Sequence, residues 1–441
     1  MPPASDTGRP RPLPVLVRAF AHRNYRLYFF GQFVSVTGTW MQAIAQAWLV
    51  YRLTGSAVQL GLVSFAGQIP VFLLSPIGGA VADRYSRHRA VITTQTSAML
   101  LALILAGLTL GGIVRVWEIF VLAALLGVVN AFDIPARQAF LVEMVGREDL
   151  MNAIALNSSL VNAARVVGPA VAGLLVAAIG EGWCFFVNGI SYVAVLGCLL
   201  AMRLPPRAAP GRGHSATRAI IEGFGFVWRT GPIRALLVLL GIVSLTALPY
   251  SVLMPVFADR VLHGGADTLG LLMGASGFGA LIGALSLAAR RGVRGLGRWV
   301  AVASLAFGLL LGLFAVSRTL WLAMVLMVPI GAAMMIEMSA SNTLIQAMVP
   351  DALRGRVMAV YSMMFMGMAP FGSLVAGVIA ERFGSPWALA AGGLGCAVSA
   401  GVFWLRLPAH RVEARQLIVA QEMMGGLPAA GVTGQGGDAD A

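Results

Sequence analysis

Blocks of apolar residues follow one another along nearly the whole chain, each at least about as long as the roughly 20 residues an α-helix needs to cross a bilayer. Twelve can be drawn, over 27–52, 57–82, 90–112, 116–145, 150–180, 183–203, 232–260, 267–289, 298–317, 319–349, 354–382 and 386–406. Polar and charged positions crowd into the short breaks between them. The pattern predicts an all-α integral membrane protein with twelve transmembrane helices. Several blocks are too long for a perpendicular crossing, so they tilt or extend into water.

The twelve spans divide six and six at 204–216 (LPPRAAPGRGHSA), where Pro, Gly and Arg replace the apolar run as in a linker. Just beyond, 217–230 sets Ile220, Ile221, Phe224, Val227 and Trp228 roughly on one face, with Arg218, Glu222 and Arg229 elsewhere. That is the pattern of a short helix lying on the membrane surface. The expected organisation is a cytoplasmic segment 1–24, a bundle 25–203, a linker with its surface helix 204–231, a second bundle 232–406 and a partly disordered cytoplasmic tail 407–441. The halves echo each other 204 residues apart: Gly168, Val171-Ala172-Gly173 and Gly180 recur as Gly372, Val375-Ala376-Gly377 and Gly384, and Met144-Val145 as Met348-Val349. In the same register Asp133 falls on Glu337. A duplication inside a membrane chain marks a transporter whose halves, here two pseudo-symmetric six-helix bundles, rock about a central site.

Composition narrows the class. Hydrophobic residues make up 58% and charged residues only 11%, whereas a soluble domain is about a quarter charged. The net charge of +13 comes from 31 arginines with no lysine. With the N-terminus in the cytoplasm, 25 of them fall in inner segments or the inner parts of spans, Arg137 among them, and 5 (Arg52, Arg115, Arg260, Arg318, Arg382) in outer ones, leaving Arg165 at mid-span. This is the positive-inside asymmetry. It places both termini in the cytoplasm of a cell (inner) membrane protein and removes nucleic acid as a partner. Residues 1–20 lack the apolar core and cleavage site of a signal peptide. Cys184, Cys198 and Cys396 are scattered through spans without histidine partners, so neither a metal site nor a disulfide framework is expected.

Three segments carry a family resemblance. GGAVADRYSRHRA at 78–90 is similar to the G-x-x-x-D-R-x-G-R-R loop of the major facilitator superfamily, through Gly79, Asp83, Arg84, Arg87 and Arg89; Ser86 and His88 depart from it. NAFDIPARQAFLVEMV at 130–145 with LMNAIALNSSLVNAARVVGPAVAG at 150–173, and VPDALRGRVMAVYSM at 349–363, resemble the drug- and siderophore-exporter branch of that superfamily. The resemblance covers roughly residues 20–408. It implies the twelve-helix fold, a conformational latch in the 79–89 loop and an exporter-type glycine–proline motif at Gly168, Pro169 and Gly173. The residues themselves agree with part of this. Gly79 permits close helix approach, Asp83 can cap or pair with a helix end, and glycines with a proline let helices touch and bend. The matching second-half loop, 287–298, keeps its arginines but has no aspartate.

Ionisable residues within spans are functional candidates, since each costs at least ~2.5 kcal/mol to insert. Four qualify: Asp133 and Arg137 on the fourth span, Arg165 on the fifth and Glu337 on the tenth. Asp133 either caps a helix resumed after Pro135 and pairs with Arg137 at i+4, or takes part in coupling or substrate binding. It also stands at a depth where Arg165 could reach it. Glu337 has no arginine one turn on, only Ser341, and an acid without a counter-charge in low dielectric is a candidate proton carrier or a partner for a cationic substrate. The superfamily's fourth-helix arginine is missing, with Ala123 before Gly127, and Arg165 is a candidate substitute. Gln42 and Gln46 on the first span align with Thr246 and Tyr250 on the seventh and are candidate cavity-wall groups.

The expected function is a proton-coupled exporter, an antiporter, of a small amphipathic molecule (drug, siderophore or metabolite) by alternating access, acting as a monomer without cofactor or metal. An importer or uniporter on the same scaffold is the alternative. A membrane enzyme or sensor is remote, since no span carries a nucleophile with a base, a metal-ligand cluster or a phosphate-binding loop.

Overall fold

The computed structural model describes residues 15–146, 148–202, 216–290 and 292–423; the side chains of 15–17, Asp83, 216–221, Asp351, Ala352 and Glu422 lie outside that description, as do the expected linker 203–215 and tail beyond Met423. Among the described residues there are α-helices, one short 3-10 helix (Val15–Ala21) and no strand. The helices are α1 (Arg23–Thr54), α2 (Ala57–Arg84), α3 (Arg87–Leu110), α4 (Val116–Val145), α5 (Leu150–Ile179), α6 (Glu181–Leu200), α7 (Ala216–Arg229), α8 (Gly231–Thr246), α9 (Tyr250–Arg260), α10 (Ala266–Ala288), α11 (Leu296–Ala315), α12 (Leu320–Met348), α13 (Asp351–Phe383) and α14 (Ser385–Met423).

Eleven of the expected spans are long and apolar enough to cross a bilayer, α8 and α9 together forming one of them. The remaining expected span is α1, whose 32 residues carry Gln32, Gln42 and Gln46 and which packs on α5 and α6 as part of the first bundle. Three local expectations are corrected. The seventh span is not continuous: Pro249, with no N–H to give, stands at the turn between α8 and α9. Pro135 does not interrupt α4, which runs through it, so Asp133 caps nothing; a membrane helix tolerates such a proline when neighbours supply compensating contacts. The twelfth span does not end at 406 but continues as helix to Met423 through Pro408.

Packing repeats between the halves. In the first, α2 packs on α4, α3 on α4 and α6, and α1 on α5 and α6; in the second, α10 packs on α12, α11 on α12 and α14, and α8 on α13 and α14. Two seams join the halves, α5 against α10 and α2 against α13, and the same correspondence exchanges one for the other. The chain is therefore two six-helix bundles related by a pseudo-two-fold axis along the membrane normal. The face carrying the 84–87, 145–150 and 288–296 turns is called here the linker face, and the other the opposite face. Trp117, Trp183, Trp321 and Trp387 stand exposed at the opposite-face starts of α4, α6, α12 and α14. They form the aromatic belt of a membrane interface, in two pairs each 204 residues apart. On the linker face the 3-10 helix is tied to the start of α5, with Arg18 Nε 2.9 Å from Asp149 Oδ1 and His22 Nε2 2.8 Å from Asp149 Oδ2.

Candidate functional site

The polar residues singled out from the sequence separate into three places. In the first bundle, Asp133 is buried in a closed network. Thr94 Oγ1 donates to its Oδ1 at 2.6 Å, Gln95 Nε2 donates to the same oxygen at 3.0 Å, and Arg137 Nε lies 2.6 Å from Oδ2. Arg137 also donates to Gln32 Oε1 at 3.1 Å. Gln32, Thr94 and Gln95 were not anticipated, because nothing local in α1 or α3 points at α4.

In the second bundle, Glu337 occupies the equivalent position on α12 and is fully buried, yet neither carboxylate oxygen makes a hydrogen bond among the described residues. Its i+4 neighbour Ser341 is buried too, with its hydroxyl near enough to favour the carboxylate though not in hydrogen-bonding geometry. Among the described residues, Tyr361 and Cys396 lie within its electrostatic reach, and neither is a cation. Tyr361 is itself occupied, donating to Met338 O at 3.1 Å.

The third place lies between the bundles. Arg165 stands at the middle of α5, outside ion-pair distance of Asp133, with its guanidinium carbon 4.9 Å from the centre of the Trp40 ring on α1. Gly168 makes that stacking possible: a Cβ there would stand 2.5 Å from Trp40 Cβ and 2.9 Å from Thr37 O. Tyr250, the first residue of α9, lies within electrostatic range of Arg165 and shares a 2.8 Å hydrogen bond with Ser276 of α10. Along the same seam a Cβ at Gly173 would stand 2.8 Å from Gly270 Cα, and the Pro169 carbonyl faces Gly270 as closely. Of the remaining wall candidates, Gln42 and Thr246 are engaged within their own bundles. Gln42 accepts from Asn188 Nδ2 at 2.6 Å inside the first bundle, Thr246 donates to its own Ile242 O and packs on Gly395, and Gln46 is half-buried on α1.

In the 79–89 loop the close approach belongs to Gly78, which packs on Ala131 of α4; nothing lies within 4 Å of a Cβ built at Gly79. Arg87 contacts Glu143 at 3.2 Å and donates to Ala139 O at 3.1 Å, while Arg84 and Arg89 are exposed. The two departures from the superfamily pattern have local uses: Ser86 Oγ accepts from Arg89 N at the start of α3, and His88 Nε2 lies 2.8 Å from Leu199 O of α6. The side chain of Asp83 lies outside the described residues.

The opposite face is closed by ties between the halves that the sequence reading missed. Tyr51 Oη donates to Asp259 Oδ2 at 2.6 Å, Arg260 Nη2 donates to Gly55 O at 2.5 Å, and Glu381 Oε2 accepts from Ala57 N at 2.7 Å. Deeper in, Ser64 Oγ of α2 and Ser373 Oγ of α13 are 3.4 Å apart.

Comparison with known proteins agrees with this architecture. The staphyloferrin A transporter of Staphylococcus aureus is 28% identical over 362 residues, 81% of this chain and 90% of the relative. The multidrug efflux pump Tap of Mycolicibacterium fortuitum is 28% identical over 369 residues, covering 81% and 89%. The enterobactin exporter EntS of Escherichia coli is 27% identical over 341 residues, covering 76% and 80%. Among solved structures, the peptide transporter POT superposes with a TM-score of 0.71 at 13% identity, over 89% of this chain and 96% of the other. A bacterial homolog of the human lysosomal transporter Spinster, inward-facing and unoccupied, superposes with a TM-score of 0.60 at 17% identity, over 92% and 98%. These likenesses show the major facilitator fold. The family model described as transmembrane secretion effector matches residues 17–437, nearly the whole chain, and the protein belongs to that family of membrane transporters, MFS_3.

Proposed function

We propose that this protein is a proton-driven exporter of small amphipathic molecules, an antiporter of the plasma membrane, with the linker face and both termini in the cytoplasm. The 25-to-5 distribution of arginines supports that orientation, and the efflux pumps and siderophore exporters among its relatives support the direction. A single chain suffices, and the solute passes unaltered without metal or cofactor. The halves roll against each other along the α5–α10 and α2–α13 seams. The ties of Tyr51 to Asp259, Arg260 to Gly55 and Ala57 to Glu381 hold the outward route shut in this state. The loop of Gly79, Asp83, Arg84, Arg87 and Arg89 acts as the inner latch, engaged when the cytoplasmic side closes.

The observation that carries the coupling is Glu337, buried with no cation beside it among the described residues while its counterpart Asp133 has one. An ionised carboxylate at Glu337 would stand against several kcal/mol of uncompensated desolvation. Losing its proton therefore demands a rearrangement that admits water, which ties protonation to the conformational cycle. Efflux from an efflux-deficient host, measured across a compound panel with and without an uncoupler, tests this. Glu337→Gln is expected to insert at the wild-type level and to lose uncoupler-sensitive efflux; unchanged efflux would remove Glu337 from the coupling role.

A further inference from the structure

Two arginines lie within the described membrane helices well away from either face, and they are treated differently. Arg137 is matched to Asp133 at 2.6 Å. Arg165 has no carboxylate within ion-pair distance among the described residues; its guanidinium lies against the Trp40 ring and within electrostatic range of Tyr250. An arginine at the centre of a membrane helix costs roughly 2.5–3.5 kcal/mol on insertion scales. A cation–π contact returns about 0.5–2 kcal/mol, so stacking on Trp40 offsets part of that cost and leaves the charge unneutralised.

Trp40 stands 4.9 Å from the guanidinium carbon, and none of the guanidinium N–H groups has a hydrogen-bond partner among the described residues. Those donors form the planar fork that matches a carboxylate or another oxyanion two bonds at a time. Trp40, Arg165 and Ser276 each lie near the middle of their helices, and Tyr250 opens α9 at the break in its span. They come from α1, α5, α9 and α10, so both bundles contribute. Such a position at mid-depth on the seam between repeats is where alternating access presents a site to each side in turn. Tyr250, within electrostatic range of Arg165, is held in place by Ser276 Oγ at 2.8 Å.

We propose that Arg165, seated beside Trp40 on the seam between the bundles, binds an oxyanion of the transported molecule, in the first instance a carboxylate, so that the solutes are amphipathic acids. The inference deepens the exporter reading and rests on it for the direction of movement, but binding itself needs no gradient.

Equilibrium binding to the purified full-length protein in detergent tests it, using 4-phenylbutyrate, naphthalene-2-acetate and decanoate, each beside its primary amide. At least one acid binds, and its amide binds at least tenfold more weakly. Arg165→Gln lowers the affinity for the acid at least tenfold, to the level of the amide, while Arg165→Lys keeps part of the preference. The wild-type acid-against-amide comparison stands whether or not a variant folds. Absence of measurable binding by all three acids, equal binding of acid and amide, or an undiminished preference in Arg165→Gln would each overturn the proposal. Uncoupler-insensitive efflux in a protein that prefers acids through Arg165 would contradict the proton-driven reading alone.

Discussion

Asp133 and Glu337 occupy equivalent positions on α4 and α12, 204 residues apart, and differ in one respect: Arg137 lies one turn beyond the aspartate and Ser341 one turn beyond the glutamate. The duplicated scaffold thus holds one neutralised acid and one acid with no cation. A symmetric pair of structural salt bridges would stiffen both bundles alike. The asymmetry leaves one bundle with a group whose charge state matters to packing.

Asp133 is accordingly expected to matter for stability. Asp133→Ala strands Arg137 and should cost about 3–5 kcal/mol, the usual penalty for breaking one side of a buried pair. Removing both charges with Asp133→Asn and Arg137→Gln together should cost clearly less than the sum of the single changes. Thermal unfolding of the four proteins in detergent measures the cycle; additive losses would mean the two side chains do not act as a pair.

The α5–α10 seam makes a second prediction. A side chain at Gly173 meets the backbone of Gly270, and overpacking of this kind costs typically about 1–3 kcal/mol. Gly173→Val is expected to insert but to transport at a small fraction of the wild-type rate, because the halves no longer roll in contact. Gly107→Ala on α3, with open space around it, should leave transport near wild type. Efflux rates normalised to the amount of inserted protein distinguish the two.

How much of this was legible depended on distance along the chain. Span positions, the repeat and the Asp133–Arg137 pair follow from periodicities and from an i,i+4 spacing, all of them local. The seventh-span break had a local mark as well, in Pro249, but Pro135, Pro255 and Pro408 sit inside continuous helices. Proline alone therefore does not say which helix stops. Trp40 under Arg165, and Gln32, Thr94 and Gln95 around Asp133, depend on which helices become neighbours, and no spacing within one helix encodes that. The same holds for Tyr51 and Asp259, 208 residues apart and on different bundles. The belt of Trp117, Trp183, Trp321 and Trp387 was readable in principle, since its members repeat in the register of the duplication.

Closure of the opposite face gives the third prediction. Tyr51→Phe removes a hydrogen bond to a carboxylate, worth about 1.5–3 kcal/mol when the acceptor is charged. If that bond exists only in this state, its loss shifts the equilibrium about tenfold or more toward opening. A cysteine placed at the buried Ser373, in a background without Cys184, Cys198 and Cys396, reports the shift through its labelling rate with an impermeant thiol reagent added outside. Faster labelling in Tyr51→Phe is expected; an unchanged rate would mean that the tie does not hold the gate.

The seam between α2 and α13 offers the most direct test of rocking halves. Ser64 and Ser373 face each other with their hydroxyl oxygens 3.4 Å apart, so cysteines at both positions, in the same cysteine-free background, can be joined by oxidation. Transport by the reduced double variant, its arrest on disulfide formation and its return on reduction are the predicted results. Undiminished transport by the fully cross-linked protein would contradict the account.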